Sequence, residues 1–177
     1  MKNIIQGGTP TSFNDLLKWT YEQAKYEIDI LSNTGFYRIK DGYISQTLYS
    51  SILEDESLNI RCSYKSITKH KNIGTMYVNI SYEDESTDVV LIPLEYNEIN
   101  QNKTTWRSIE QDYKTSKDKT VSNIEVRIVS SKGVSLDVTE LAIYYSGSDG
   151  ANNGYNNNEF QDKCILYGFD KDKPKLR

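Results

Sequence analysis

Histidine and cysteine, the usual bases and nucleophiles of catalytic relays, number one and two in this 177-residue chain, and the placement of the acidic residues also argues against catalysis. The only histidine, His70, lies between Lys69 and Lys71 in a turn-like break. A Ser/His or Cys/His relay needs a base oriented by a third group, and a solvated loop histidine does not supply one. Acidic residues are plentiful, but Glu54-Asp55-Glu56 and Glu83-Asp84-Glu85 also fall in breaks, where charge is the ordinary choice. Two facing carboxylates are all that glycoside cleavage requires, so that chemistry stays open as an alternative. Cys62 and Cys164 are too few for a disulfide scaffold and read as buried thiols. What remains is the chemistry of binding. Tyr77, Asn79 and Arg61 occupy the polar parity of apolar-alternating runs, and Trp106 precedes Arg107. Aromatic faces and planar polar groups stack and hydrogen-bond rather than react. The more ordinary reading of each of these residues is plain surface or core, and of Trp106 packing.

The elements that must position them are strands. Period-2 alternation marks runs at 36–40, 43–53, 58–67, 74–83, 89–96, 104–113, 124–130 and 134–146. Leu58, Ile60, Cys62 and Tyr64 alternate with Asn59, Arg61, Ser63 and Lys65; Met76, Val78, Ile80 and Tyr82 do the same in the next run. The last two runs, joined by Ser131-Lys132-Gly133, predict a hairpin whose turn uses a positive φ at Gly133. In the final run the apolar parity switches between Val138 and Leu141, so a bulge near Thr139-Glu140 is expected. Eight short strands without helical segments between them predict an antiparallel two-sheet sandwich.

Both ends differ from this centre. After an irregular arm, Ser12 and Asp15 resemble a capping box, with Thr11 as the other candidate cap. Phe13, Leu16, Leu17, Thr20, Tyr21, Ala24, Ile28 and Leu31 then share one face of an amphipathic helix. That face packs either on the sandwich or on a partner. Residues 148–158 are Gly- and Asn-rich and read as a linker, and 159–177 as a strand-like C-terminal extension. The expected organisation is an arm and helix (1–32), a sandwich (33–147) able to fold alone, a linker and an extension. The formal net charge of -4 argues against a nucleic-acid partner, and no apolar run is long enough for a membrane span. The opening residues lack the apolar core of a signal peptide.

Asp41-Gly42 before Tyr43-Ile44-Ser45-Gln46-Thr47-Leu48, then the 58–67 run, Gly74-Thr75-Met76, Thr105-Trp106 and the 124–145 pair form a series. It resembles the jelly-roll carbohydrate-binding modules of the galactose-binding-like type. More narrowly, it is similar to those in tail and baseplate proteins of phages that infect low-GC Gram-positive bacteria. The resemblance covers about residues 33–147, and the last strand departs from it by extra residues around 138–140.

The resemblance implies an all-β jelly roll in a non-enzymatic virion protein, assembled in the host cytoplasm without a signal peptide. It acts as an adaptor and binds host cell-wall glycan where that function is retained. A dedicated receptor-recognition module and a glycoside-processing enzyme are the alternatives. Sugar contacts would fall to Tyr77, Asn79, Arg61 and Trp106. No cofactor is implied beyond a structural calcium, for which Asp137 in the last strand is the matching ligand. Asp137 reads otherwise as an exposed polar-parity residue. Contacts to sister copies or other virion proteins are expected from Phe13, Leu16, Leu17, Tyr21 and Ile28, and from Ile165, Leu166 and Phe169 beyond the linker.

Overall fold

Strand alternation closes one apolar core between two layers. The computed structural model describes residues 2–48, 57–96 and 106–145. In order, these form β1 (Lys2–Asn3), α1 (Phe13–Leu16), β2 (Thr20–Asp29), β3 (Thr34–Leu48) and β4 (Ser57–Ser66). Then come β5 (Asn72–Tyr82), β6 (Thr87–Glu95), β7 (Arg107–Lys114), β8 (Val121–Ser130) and β9 (Ser135–Tyr145). All pairings are antiparallel, and the hydrogen-bonded order is β6-β5-β8-β3-β9-β4-β7. The chain is an all-β jelly-roll sandwich with a short N-terminal helix. Met76, Val78 and Ile80 of β5, Ile124, Val126 and Ile128 of β8, and Ile60 of β4 are all fully buried.

The fifteen-residue β3 is shared between the layers. Its second half (43–48) pairs with β8, while its first half (37–40) pairs with β9. The segment expected as a hairpin is therefore a corner: β8 and β9 do not pair with each other but lie end to end along β3. The chains kink together there. Gln23 and Asp41 take φ of 50° and 53°, and Gly133 takes +74° as expected. Gly133 N–H donates to Asp41 Oδ1 (2.5 Å), and Gly42 N–H to Ser130 Oγ (3.1 Å). A Cβ on Gly42 would lie 2.0 Å from the Glu22 carbonyl oxygen, so glycine lets β2 close on the corner. The bulge in β9 is where the parity switch put it. The register moves from Arg61↔Ala142 to Ser63↔Thr139, with Glu140 at φ 54°. Val138, Leu141 and Ile143 consequently all face the core.

The N-terminal region is the main departure from expectation. The helix ends after Leu16, and Thr20–Asp29, expected as its continuation, forms β2 along β3. The apolar stripe is real, but β3 offers a long free edge, and a backbone ladder along it outweighs isolated helix formation. Ser12 makes no side-chain cap; Thr11 N–H and Oγ1–H donate to Asp15 Oδ2 instead (2.8 and 3.0 Å). The arm is woven into the sandwich. Ile4 N–H donates to the Ile143 carbonyl, Leu141 N–H to that of Gly8, and Tyr37 Oη–H to that of Gly7 (3.0, 3.0 and 2.6 Å). The Gln46 carboxamide accepts from Gln6 N–H and donates to the Gln6 and Lys18 carbonyls. Ile5, Leu16 and Trp19 belong to the core. A boundary at 32/33 therefore cuts between two strands of one folded unit. Leu16, expected as a partner contact, faces this core, whereas Phe13, Leu17, Tyr21 and Ile28 are exposed. Ile165, Leu166, Phe169, the linker and the extension lie outside the described residues.

Candidate functional site

Three rows of side chains stand on the outward face of the β6-β5-β8-β3 layer, set by register. One row reads Leu91, Tyr77, Arg127, Ser45 and Thr20 across β6, β5, β8, β3 and β2. On one side runs Val89, Asn79, Glu125 and Thr47; on the other, Pro93, Thr75, Val129, Tyr43 and Glu22. Strands spaced by ~4.8 Å make a four-strand row ~14 Å long, the span of a short oligosaccharide rather than one ring.

A hydrogen-bonded chain ties two of these rows together. Ser45 Oγ–H donates to Glu125 Oε1 (2.9 Å) and Asn79 Nδ2–H to Glu125 Oε2 (3.0 Å). Both carboxylate oxygens thus have partners, and the group is fixed in place. Arg127 stacks over Tyr43, with Cζ 4.0 Å from the ring centroid. Two shallow clefts meet at Arg127 and Val129. One, of about 310 Å³, is also lined by Tyr77, Asn79 and Glu125. The other, of about 350 Å³, runs along Tyr43 and Gly42 to Glu22, Asp41 and Lys132. The face joins two aromatic rings to three planar polar side chains, the groups that stack on and hydrogen-bond a polyhydroxylated ligand.

Of the four residues singled out for sugar contact, Tyr77 and Asn79 lie on this face. Arg61 and Trp106 belong to the other layer, with Trp106 immediately before β7. Arg61 donates to Asn59 Oδ1 and Glu110 Oε1 and is nearly buried. Trp106 is half-buried and packs edge-on against Phe36, at 5.7 Å between centroids. Its Nε1–H donates to Asp29 Oδ2, and Lys65 Nζ sits 4.5 Å from its ring centroid. Burial pushes Asp29 up, but hydrogen bonds from Lys65 and from the Ser32 and Leu31 N–H groups hold it below the usual carboxylate range. Trp106 is thus a packing residue. Trp106→Ala is expected to cost about 2 kcal/mol in a thermal melt, less than a fully buried tryptophan.

Asp137 is neither exposed nor open to a cation. It is 2% exposed, and its two oxygens accept from Arg38 Nε (2.7 Å) and Nη2 (2.8 Å). Burial pushes its pKa up, with the Arg38 fork and the charge on Lys65 pulling against it. A calcium ion at this carboxylate would have to displace the guanidinium.

Glu125, Arg127, Tyr43 and Ser45 were not singled out from sequence. Glu125 and Arg127 show there only as the polar parity of β8, and nothing local tells that β5 and β3 flank them.

Solved structures that share this sandwich include carbohydrate-binding modules. A family 16 carbohydrate-binding module-2 aligns with a TM-score of 0.57 at 12% identity, covering 80% of this chain and 99% of that one. TmCBM61, in complex with β-1,4-galactotriose, aligns with a TM-score of 0.54 at 10% identity, over 82% and 100%. The enzymatically active domain of bacteriophage CBA120 tailspike protein 4 gives 0.59 at 9% identity. That match covers 81% of this chain but spans only 21% of the tailspike chain. At these identities the likeness is one of fold. No protein-family model and no curated protein matches the sequence.

Proposed function

We propose that this protein is a non-enzymatic structural component of a phage tail or baseplate, and that the outward β6-β5-β8-β3 face binds host cell-wall glycan. The observation that carries the reading is the Ser45–Glu125–Asn79 chain beside Tyr77 and the Arg127-capped ring of Tyr43. Sugar hydroxyls need fixed donors and acceptors, and sugar C–H faces need a ring; here both stand on rigid strands. Hydrogen bonds to both Glu125 oxygens favour a binding role over that of an acid or nucleophile. The fold likeness to carbohydrate-binding modules and to a tailspike domain supports the assignment to glycan and to a virion.

The test is co-sedimentation of the full chain with purified cell walls of a low-GC Gram-positive bacterium, with soluble sugar assayed in parallel. Tyr77→Ala and Asn79→Ala are each expected to weaken binding about tenfold, the ~1.4 kcal/mol of one good contact, with melting temperature little changed. Folded wild-type protein that ignores every wall preparation would remove the glycan part and leave an adaptor. Released reducing ends would restore the glycoside-processing alternative.

A further inference from the structure

We propose that this face selects saccharides carrying an oxyanion, and that Arg127 is the group that grips it. The inference rests on the reading of the face as a glycan-binding surface and adds the ligand's charge. Arg127 differs from the other arginines among the described residues. Arg38 is bidentate to Asp137 and pairs with Glu27; Arg61 donates to Asn59 and Glu110; Arg107 donates to the Glu95 carbonyl. Arg127 has no ion pair and no hydrogen bond to any described residue, and its one contact of this kind is the Tyr43 ring.

The nearest carboxylate in sequence on the same face of β8 is Glu125, whose oxygens accept from Ser45 and Asn79 rather than from Arg127. The guanidinium carbon stands against the face of the Tyr43 ring. That contact uses none of the N–H donors, whose fork matches a carboxylate or phosphate in bidentate fashion. The side chain is only half-exposed and stands at the wall shared by both clefts, so a ligand in either one passes it. Charge-assisted hydrogen bonds are about twice as strong as neutral ones, which makes an oxyanion the partner this edge discriminates for. The rest of the surface does not attract anions in general, because the chain carries a net charge of -4. Glu22 and Asp41 in the second cleft outnumber Lys132 there, which also disfavours a polyanion lying along its whole length. The ligand expected is a largely neutral saccharide with one anionic group, a uronate carboxylate or a phosphodiester, placed at Arg127 while a sugar ring lies over Tyr77 and Asn79.

Isothermal titration of the full chain against matched ligands tests this. The ligands are a uronate-containing oligosaccharide, its carboxyl-reduced neutral counterpart, and a glycerol-phosphate-substituted oligosaccharide with its dephosphorylated form. Wild-type protein is expected to bind one anionic ligand at least tenfold tighter than its neutral partner, with the preference shrinking at high salt. Whichever pair shows the preference identifies the oxyanion. Arg127→Gln should abolish the preference, lowering affinity for the anionic ligand at least tenfold to the level of its neutral partner, with melting temperature little changed. Arg127→Lys should retain part of it, since a point charge lacks the fork. Equal wild-type affinity within both pairs, with Tyr77→Ala still weakening binding, overturns the role of Arg127 and keeps the glycan face. No binding of any ligand by folded wild-type protein overturns the glycan face itself.

Discussion

Deleting residues 1–32 is expected to abolish cooperative melting, leaving a poorly soluble β-rich chain. The deletion removes Ile5, Leu16 and Trp19, which are 0%, 0% and 4% exposed, from the core. Truncating large buried side chains costs ~2–5 kcal/mol each, and three of them approach the whole stability of an ordinary domain, ~5–15 kcal/mol. Loss of β2 also bares the outer edge of β3 from Thr34 to Ser45. A gentler probe uses the glycines at which the arm docks. A Cβ on Gly35 would sit 1.8 Å from the Pro10 carbonyl oxygen, and one on Gly8 1.9 Å from that of Leu141. Gly35→Ala and Gly8→Ala should each lower the melting temperature by several degrees, consistent with ~1–3 kcal/mol of overpacking at ~2–4 °C per kcal/mol. Differential scanning calorimetry decides the matter. A truncated chain that melts cooperatively near the full-length temperature would show the arm to be an accessory, free to serve partners.

Arg38→Ala is expected to be the most damaging substitution outside the apolar core. It leaves the Asp137 carboxylate at 2% exposure without its bidentate partner. Breaking a buried pair from one side costs ~3–5 kcal/mol; because the Arg38 side chain is itself 31% exposed, about 3 kcal/mol is the fair figure. That corresponds to ~6–12 °C in a chain of this size. The pH dependence has a definite sign. Burial already raises the Asp137 pKa, and removing Arg38 raises it further. Between the unfolded value and the raised folded one, the native state holds more protons than the unfolded state, so stability falls as pH rises through that window. The deficit of Arg38→Ala relative to wild type should therefore shrink as pH is lowered from neutral towards the ordinary carboxylate range. Calcium and chelator should leave both melting curves where they are; a calcium-dependent rise in the wild type, lost in Asp137→Ala, would return the metal to the account.

The strands were legible because their alternation is local. Met76, Val78 and Ile80 announce their face without reference to any other strand, and the change of parity between Val138 and Leu141 marks the bulge at Glu140. Pairing was not legible. Nothing near Ser131-Lys132-Gly133 reveals that β3 is long enough to receive β8 and β9 in tandem, so a corner reads as a hairpin. Thr20–Asp29 carries an apolar pattern compatible with a helical face, and only the free edge of β3 makes it a strand. The face proposed for binding was half legible for the same reason. Tyr77 and Asn79 stand out on an alternating run, while Glu125 and Arg127 gain meaning only from neighbours about 80 positions away in β3, such as the Ser45 hydroxyl.

The sharing of β3 has a consequence for how the protein is made. Its partners in β8 and β9 lie far along the chain: Arg38 meets Asp137 across 99 positions, and Thr139 donates to the Gly35 carbonyl across 104. At ~5–20 residues per second, a ribosome needs ~5–20 s to supply those partners after β3 has emerged. Through that interval one edge of β3 waits unpaired, and such long-range closure is intrinsically slow even once the chain is complete. The nascent β2–β3 ribbon, with that edge bare, is where aggregation is expected to start. Closure of the sandwich is timed by the arrival of its last two described strands.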